Sequence, residues 1–373
     1  MKLKSIQIVS FNNPYPPNYG GVIDVFYKIK YLHSLQIEIY LHFFYDDRND
    51  IEKLKPYCKD IYLYKSEKTA LKLMTKIPFC VSSRSSDQMY NNLIKNDAPI
   101  LFEGLQSTHV LINNVFKNKI IIRTHNIEHN YYNGLAKSES NIFLKLLYYI
   151  ESIKLKKYES IIKKANLILP LSKSEFDYFN TSYKVKTKFL SVFHGNDKVK
   201  ELSEKGDFAL YHGNLSTSDN IKAVKFLISV FEKIQYELVI ASSTIPKSLL
   251  AIIGKYENIR FVKLGEDNSI LNELFDQAHI NILFSNQQSG TKLKVFNSLF
   301  KGRFCIVNKN IADDEEILSL CEIAESKEEY IDLVNKVFTM DYRQFQKRKD
   351  VLKNYKPLKL AENLIEIINQ NLN

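Results

Sequence analysis

"KIIIRTHNIEHNYY", Lys119 to Tyr132, holds two competing readings. Its second half, HNIEH from His125 to His129, has the form H-x-x-E-H, a zinc-peptidase pattern. That chemistry needs both histidines on one helical turn, Glu128 between them as base, and a third ligand elsewhere. Its first half, KIIIRT, is a run of β-branched apolar residues, the composition of a strand buried on both faces. A strand closing at Thr124 puts His125 at a strand end and not in mid-helix. The strand reading is preferred, leaving His125 a ligand-binding role or a structural capping role.

Similar runs recur along the chain. The first half has SIQIVSF (Ser5–Phe11), IEIYLHFF (Ile37–Phe44), PILFEG (Pro99–Gly104), KIIIRT (Lys119–Thr124) and NLILPL (Asn166–Leu171). The second half has FALYHG (Phe208–Gly213), YELVIASS (Tyr236–Ser243), NIRFV (Asn258–Val262), INILFS (Ile280–Ser285) and RFCIVN (Arg303–Asn308). Amphipathic stretches separate them. Continuous apolar runs alternating with helices imply parallel strands covered on both faces, and two such series imply two doubly wound α/β domains. The length of 373 residues agrees, at roughly 150 residues per domain. The expected boundaries are 1–195 and 205–355, with the polar stretch DKVKELSEKGD (Asp197–Asp207) as linker and a final helix, about 357–373, returning to the first domain.

Composition narrows the class. No apolar run approaches the roughly 18 residues of a membrane span. The opening MKLKSIQIVSF is basic then apolar, but Gln7 interrupts it and no small-residue cleavage site follows, so it reads as a first strand and not a leader. Cys58, Cys80, Cys305 and Cys321 are scattered without a CxxC pair, which fits a reducing cytoplasm. The net charge of +10 favours anionic partners, and no nucleic-acid-binding signature accompanies it. Much of it is lysine on helices. From Phe143 to Ala165 the positions Phe143, Leu146, Leu147, Ile150, Ile153, Tyr158, Ile161 and Ile162 mark one buried face, with Lys145, Lys154, Lys156, Lys157, Lys163 and Lys164 opposite. Such a basic helix is either an ordinary surface helix or one that lies on an anionic membrane.

Open α/β sheets bind ligands beyond the carboxyl ends of their strands. That rule selects five places. NNPYPPNYGG (Asn12–Gly21) is a proline-stiffened loop ending in Gly20-Gly21, where backbone approaches a ligand at a helix N-terminus. It is not GxGxxG, so a dinucleotide fingerprint is weak. Glu103-Gly104 and His125–His129 follow two further strands. HGNLSTSDN (His212–Asn220) leads into a helix that Ser218 or Asp219 would cap. In SNQQSGTKLKVFNSLFKGRFCIVN (Ser285–Asn308), Ser289, Gly290 and Thr291 precede a helix, Lys292 and Lys294 can neutralise phosphate, and Asn297 lies within a turn of Lys294.

In this order the features resemble the GT-B-fold glycosyltransferases, especially the large retaining family 4, over nearly the whole chain. The glycine loop, His125, KKANLILPLSKSEFDYF (similar to the family's "ADLVIAVSE…"), HGNLSTSDN (where the family has Gly-Arg-Leu) and SGTKLKVFNSLFKGRFCIVN (where it has a glutamate-bracketed donor motif, then "EAMACGxPVV") fall in the family's sequence. There are departures. The usual Arg is Asn214, the Lys after it falls near Asp219 or Asn220, and the two glutamates fall at Ser289 and Asn297.

The resemblance implies two Rossmann-like domains facing a cleft. It implies a metal-independent, retaining transfer of a hexose-type sugar from a nucleotide-sugar to a glycan or lipid-linked acceptor in cell-surface polysaccharide or glycoconjugate synthesis. The enzyme would be cytoplasmic and peripheral at the inner face of the plasma membrane through the basic helix. No cofactor beyond the donor is implied. His125, Lys292 and Lys294 would be catalytic. Gly20, Gly21, Gly213, Asn214, Ser289, Gly290, Thr291 and Asn297 would bind donor, and Tyr19, Glu103 and Glu128 acceptor. The alternatives are a GT-B sugar-nucleotide epimerase, which needs acidic groups for proton transfer, and a non-catalytic sugar-nucleotide or glycan binder.

Overall fold

The structure, a computed structural model, describes residues 3–139, 141–265, 267–287 and 292–372. The chain divides into two compact units, Met1–Gly195 with Pro357–Asn373, and Asn196–Lys356.

In the first unit the strands are β1 (Ser5–Ser10), β2 (Glu38–Tyr45), β3 (Asp60–Lys65), β4 (Ile100–Glu103), β5 (Ile120–Thr124) and β6 (Leu167–Pro170), in the order β3-β2-β1-β4-β5-β6. In the second they are β7 (Phe208–His212), β8 (Leu238–Ser242), β9 (Ile259–Lys263), β10 (Ala278–Ile282), β11 (Phe304–Val307) and β12 (Glu322–Ile323). Their order, read from β9, is β9-β8-β7-β10-β11-β12, the same pattern. Every pairing is parallel. Each sheet reverses its strand order once, between β1 and β4 and between β7 and β10. At such a switch point the two loops leave in opposite directions and open a crevice.

The apolar runs become strands because both faces are covered. In β1, Ile6 and Ile8 pack with the first helix, Gly20–Ser34, while Val9 packs with Phe44, Ile100 and Phe102 on the other side. The helix Pro357–Asn371 completes the first unit's core. Its Leu360, Ala361, Leu364 and Ile368 join Val25, Ile29 and Leu32 of the first helix, and Asn369 Oδ1 accepts the Leu3 N–H at 2.7 Å.

One helix departs from expectation. In place of a continuous helix from Phe143 to Ala165 there is an α-helix, Ile142–Tyr158, then a 3-10 segment, Glu159–Lys164. The first part of its expected buried face is exposed, since Phe143, Leu146, Leu147, Ile150 and Ile153 all face solvent, whereas Ile161 and Ile162 are buried as expected. Glu151 and Leu155 are buried instead.

Candidate functional site

At the carboxyl ends of β4 and β5 five ionisable side chains meet. Register pairs Glu103 with Arg123, and His125 follows one residue beyond β5. Asp24 and Lys28, four apart, come from the buried face of the first helix. Lys28 Nζ bridges Asp24 Oδ2 at 2.8 Å and Glu103 Oε1 at 2.5 Å. Arg123 grips Asp24 with Nε at 2.8 Å and Nη2 at 2.9 Å, and donates to the carbonyls of Leu190 and Ser191. Asp24 Oδ1 also accepts the Phe193 N–H at 2.7 Å. Burial alone would raise the Asp24 carboxyl, but Arg123 and Lys28 overcome it and hold it well below the usual range. Burial also pushes Glu103 up, and Lys28 and His125 reverse the sign.

Glu103 Oε2 lies 2.9 Å from His125 Nε2. An ionised carboxylate there makes Nε2 the donor, so a neutral ring keeps its acceptor at Nδ1. Nδ1 faces Gly21, where a Cβ would lie 3.5 Å away. The same Cβ would meet Phe11 Cζ at 2.5 Å, so only glycine lets the helix start pack against the Phe11 and His125 rings. Glu103 is fully buried with both oxygens engaged, so its place is behind His125 and not against an acceptor hydroxyl.

HNIEH does not form a metal pair. The helix Glu128–Ser138 begins only at Glu128, so the two histidines do not share a turn. His125 binds Glu103, whereas His129 Nδ1 binds Glu159 Oε2 at 2.9 Å. Among the described residues, Asp24, Glu103 and His125 do bring ligand atoms within 4.8 Å of one another. Lys28 and Arg123 already neutralise both carboxylates, so this donor set does not fit a divalent ion. Glu128, expected to touch acceptor, is buried, and burial raises its carboxyl despite opposition from Gln106 and His125.

Tyr19 and Gly20 sit where the proline loop enters the first helix. Tyr19 occupies the N-cap position, and its hydroxyl accepts from Asn12 Nδ2 at 2.9 Å. Arg48 covers the Tyr19 ring and donates to Asn18 Oδ1 and the Pro16 carbonyl, which pins the loop. Tyr19 and Gly20 remain exposed at the helix entrance.

The second unit's site is built differently. Lys294 belongs to the helix Leu293–Lys301 and Lys292 to its N-cap. Lys294 Nζ lies 3.3 Å from Asn220 Oδ1 and over the Tyr211 ring. Burial lowers its ammonium to about 8, against an opposing pull from Asp219. Asn220 also bonds the Asn214 carbonyl at 2.8 Å and Tyr211 at 3.2 Å. Gly213 and Asn214 thus form the loop beside Lys294, with Asn214 Oδ1 turned inward to the Ser216 N–H at 2.9 Å. Neither Ser218 nor Asp219 caps the following helix, Ser218–Phe231, whose N-cap is Thr217. Asp219 instead accepts from Ser285 Oγ at 2.8 Å and the Asn286 N–H at 3.0 Å, tying that helix to the loop after β10. Asn297 Oδ1 accepts from Asn196 Nδ2 at 2.9 Å. The expected donor residues Ser289, Gly290 and Thr291 lie outside the described residues.

Sequence reading missed Asp24, Lys28, Arg123 and His212. Signals existed for three of them. Asp24 and Lys28 interrupt an apolar helical stripe, and Arg123 interrupts a buried strand run; each such charge demands a partner. His212 closes β7 as a buried imidazole whose nitrogens both lack a hydrogen-bond partner, and burial, with Lys294 and Lys301 nearby, lowers it to about 3.

No family model matches the chain. An "uncharacterized 44.6 kDa protein in cps region" of Klebsiella pneumoniae is 31% identical over 186 residues, so the chain spans about half (47%) of that relative's length, and the match covers 47% of the chain. Among solved structures, apo OtsA superposes with a TM-score of 0.68 at 10% identity over 98% of this chain and 99% of that one. A glycosyltransferase from Rickettsia africae ESF-5 gives 0.67 at 13% identity over 99% of each chain. WaaG, "a glycosyltransferase involved in lipopolysaccharide biosynthesis", gives 0.62 at 12% identity over 97% and 99%. The two parallel sheets with their flanking helices therefore form the GT-B fold of glycosyltransferases.

Proposed function

We propose that this chain is a metal-independent, retaining glycosyltransferase that moves a hexose-type sugar from a nucleotide-sugar to a glycan or lipid-linked acceptor. The observation that carries the reading is the end-to-end match to GT-B glycosyltransferase structures. The second unit is read as the donor unit, and the first as the acceptor unit.

The difficult step is departure of the nucleotide diphosphate, whose growing negative charge needs fixed positive groups. Lys294 and Lys292, with the helix start behind them, fit that need. Gly213, Asn214, Asn297 and the segment 289–291 would surround the donor. Gly20, Gly21 and Tyr19 would flank the sugar and acceptor. His125 would place the transferred sugar, and Glu103 would act through His125 as a positioning residue. Work on cell-surface polysaccharide is supported by WaaG's printed role and by the cps region of the Klebsiella relative, and a place at the inner face of a membrane is proposed from the basic helix Ile142–Tyr158.

A thermal-shift panel of nucleoside diphosphates and sugar nucleotides tests the donor assignment. Binding of at least one, and acceptor-dependent release of its nucleotide, is the expected result. Interconversion of sugar nucleotides without acceptor would replace the reading with an epimerase, and binding without any product would replace it with a non-catalytic binder.

A further inference from the structure

The helix Ile142–Tyr158 changes character along its length. Its second half is anchored. Glu151 Oε2 accepts the Phe79 N–H at 2.6 Å, Leu155 packs with Cys80 and Val81, and Ser152 Oγ donates to the His129 carbonyl at 2.8 Å. Its first half is not buried. Ile142 and Phe143 are 74% and 77% exposed, and Leu144, Leu146, Leu147, Tyr149 and Ile150 are exposed as well. Beside it lies the turn Ala70–Leu73, whose Leu73 carbonyl accepts from Lys154 at 2.7 Å. That turn adds Leu71 and Met74, 76% and 84% exposed.

We infer that this apolar tip is a docking surface that inserts into one leaflet of an anionic lipid bilayer. Two observations select a bilayer over a protein partner. First, Ile142, Phe143, Leu144, Leu146 and Leu147 are all exposed, and at about 100° per residue they cover roughly 200° of the helix circumference, with Lys145 on the remaining side. A protein groove or a second copy covers one stripe, whereas a helix tip apolar over more than half of its circumference needs a broader apolar surrounding. Second, charge is ordered along the axis. The tip holds only Lys145, and the next turns carry Lys154, Lys156 and Lys157. Between residues 137 and 157 five lysines stand against two glutamates, and one of these, Glu151, is buried and paired with Lys154. An apolar end followed by a basic collar matches hydrocarbon followed by anionic headgroups. Ile142 to Ile150 rises about 12 Å, enough to enter a leaflet of roughly 15 Å and not to cross the bilayer.

This docking does not rest on the transfer reading and is measured without donor or acceptor. Flotation of the full chain uses vesicles of phosphatidylcholine alone and with phosphatidylglycerol. Donor binding by thermal shift is followed in parallel. The wild type should float with the anionic vesicles, less so in high salt. Phe143→Asp with Leu147→Asp should reduce binding at least tenfold while circular dichroism and donor binding are unchanged. Lys156→Glu with Lys157→Glu should weaken binding to the anionic vesicles only. Failure of the wild type to float would overturn the inference, as would flotation of the aspartate variant at wild-type level. A wild-type dimer that the aspartate pair turns into a monomer without lipid would overturn it too, since a second copy would then cover the tip.

Discussion

The two sheets share one strand order yet arm their switch points in opposite ways. The first places Asp24, Lys28, Glu103, Arg123 and His125 in a buried, mutually neutralised cluster. The second offers Lys294 against the neutral Asn220 and Tyr211, with its nearest carboxylate, Asp219, committed to Ser285 and Asn286. Saturated charge holds geometry; cationic charge left without a bonded carboxylate attracts an anion. The fold is therefore no guide to which half does what, and the pairing of charges is.

The comparison can be broken most strongly in the first unit. Arg123→Met leaves Asp24 buried with Lys28 as its remaining cation, which should cost about 3–5 kcal/mol of that unit's stability. Hydrogen exchange of β4 and β5 amides in urea reads this, and unchanged protection would mean the cluster holds nothing together. In the second unit the same size of effect should fall on rate. Lys294→Ala should lower turnover about 10²–10³-fold with the fold intact, and wild-type nucleotide release would remove Lys294 from the site.

pH sharpens the contrast. With Lys294 lowered to about 8, its ammonium is present below that pH and lost above it. The kcat/KM for donor should fall about tenfold per pH unit above roughly 8, and a flat profile to pH 10 or so would contradict a required ammonium. The first unit should respond at the acid end. Asp24 and Glu103 are both depressed in the fold, so their stabilisation is complete above the ordinary carboxylate range and is lost as pH falls through their depressed values. The smallest change is Gly21→Ala, whose Cβ must displace the Phe11 ring. A cost of about 1–3 kcal/mol is expected, with a several-fold rate loss through His125; an unaltered melting temperature would show that the ring yields freely.

The ten strands read from sequence were legible because each is a short, largely apolar run with only isolated polar or charged residues within it, as at Gln7, Arg123 and Arg260. The two that were not, β3 and β12, both lie at sheet edges. In β3 the apolar run Ile61–Tyr64 is short and only its Tyr64 is buried, and β12 is two residues long, so neither reads as a strand covered on both faces. The rule that ligands gather beyond strand ends found His125 and the Lys294 loop. It could not find Asp24 or Lys28, which reach the same point from a helix. Periodicity located the apolar residues of Ile142–Tyr158 but not what covers them, because a spacing pattern is the same whether the facing medium is protein or lipid.

The helix Pro357–Asn371 packs on the first unit although it follows the whole second unit in the chain. On the ribosome the second sheet, contiguous in Asn196–Lys356, can close while Val25, Ile29 and Leu32 still lack their cover. The unit begun first is finished last, and the second unit is in effect a loop inserted into the first.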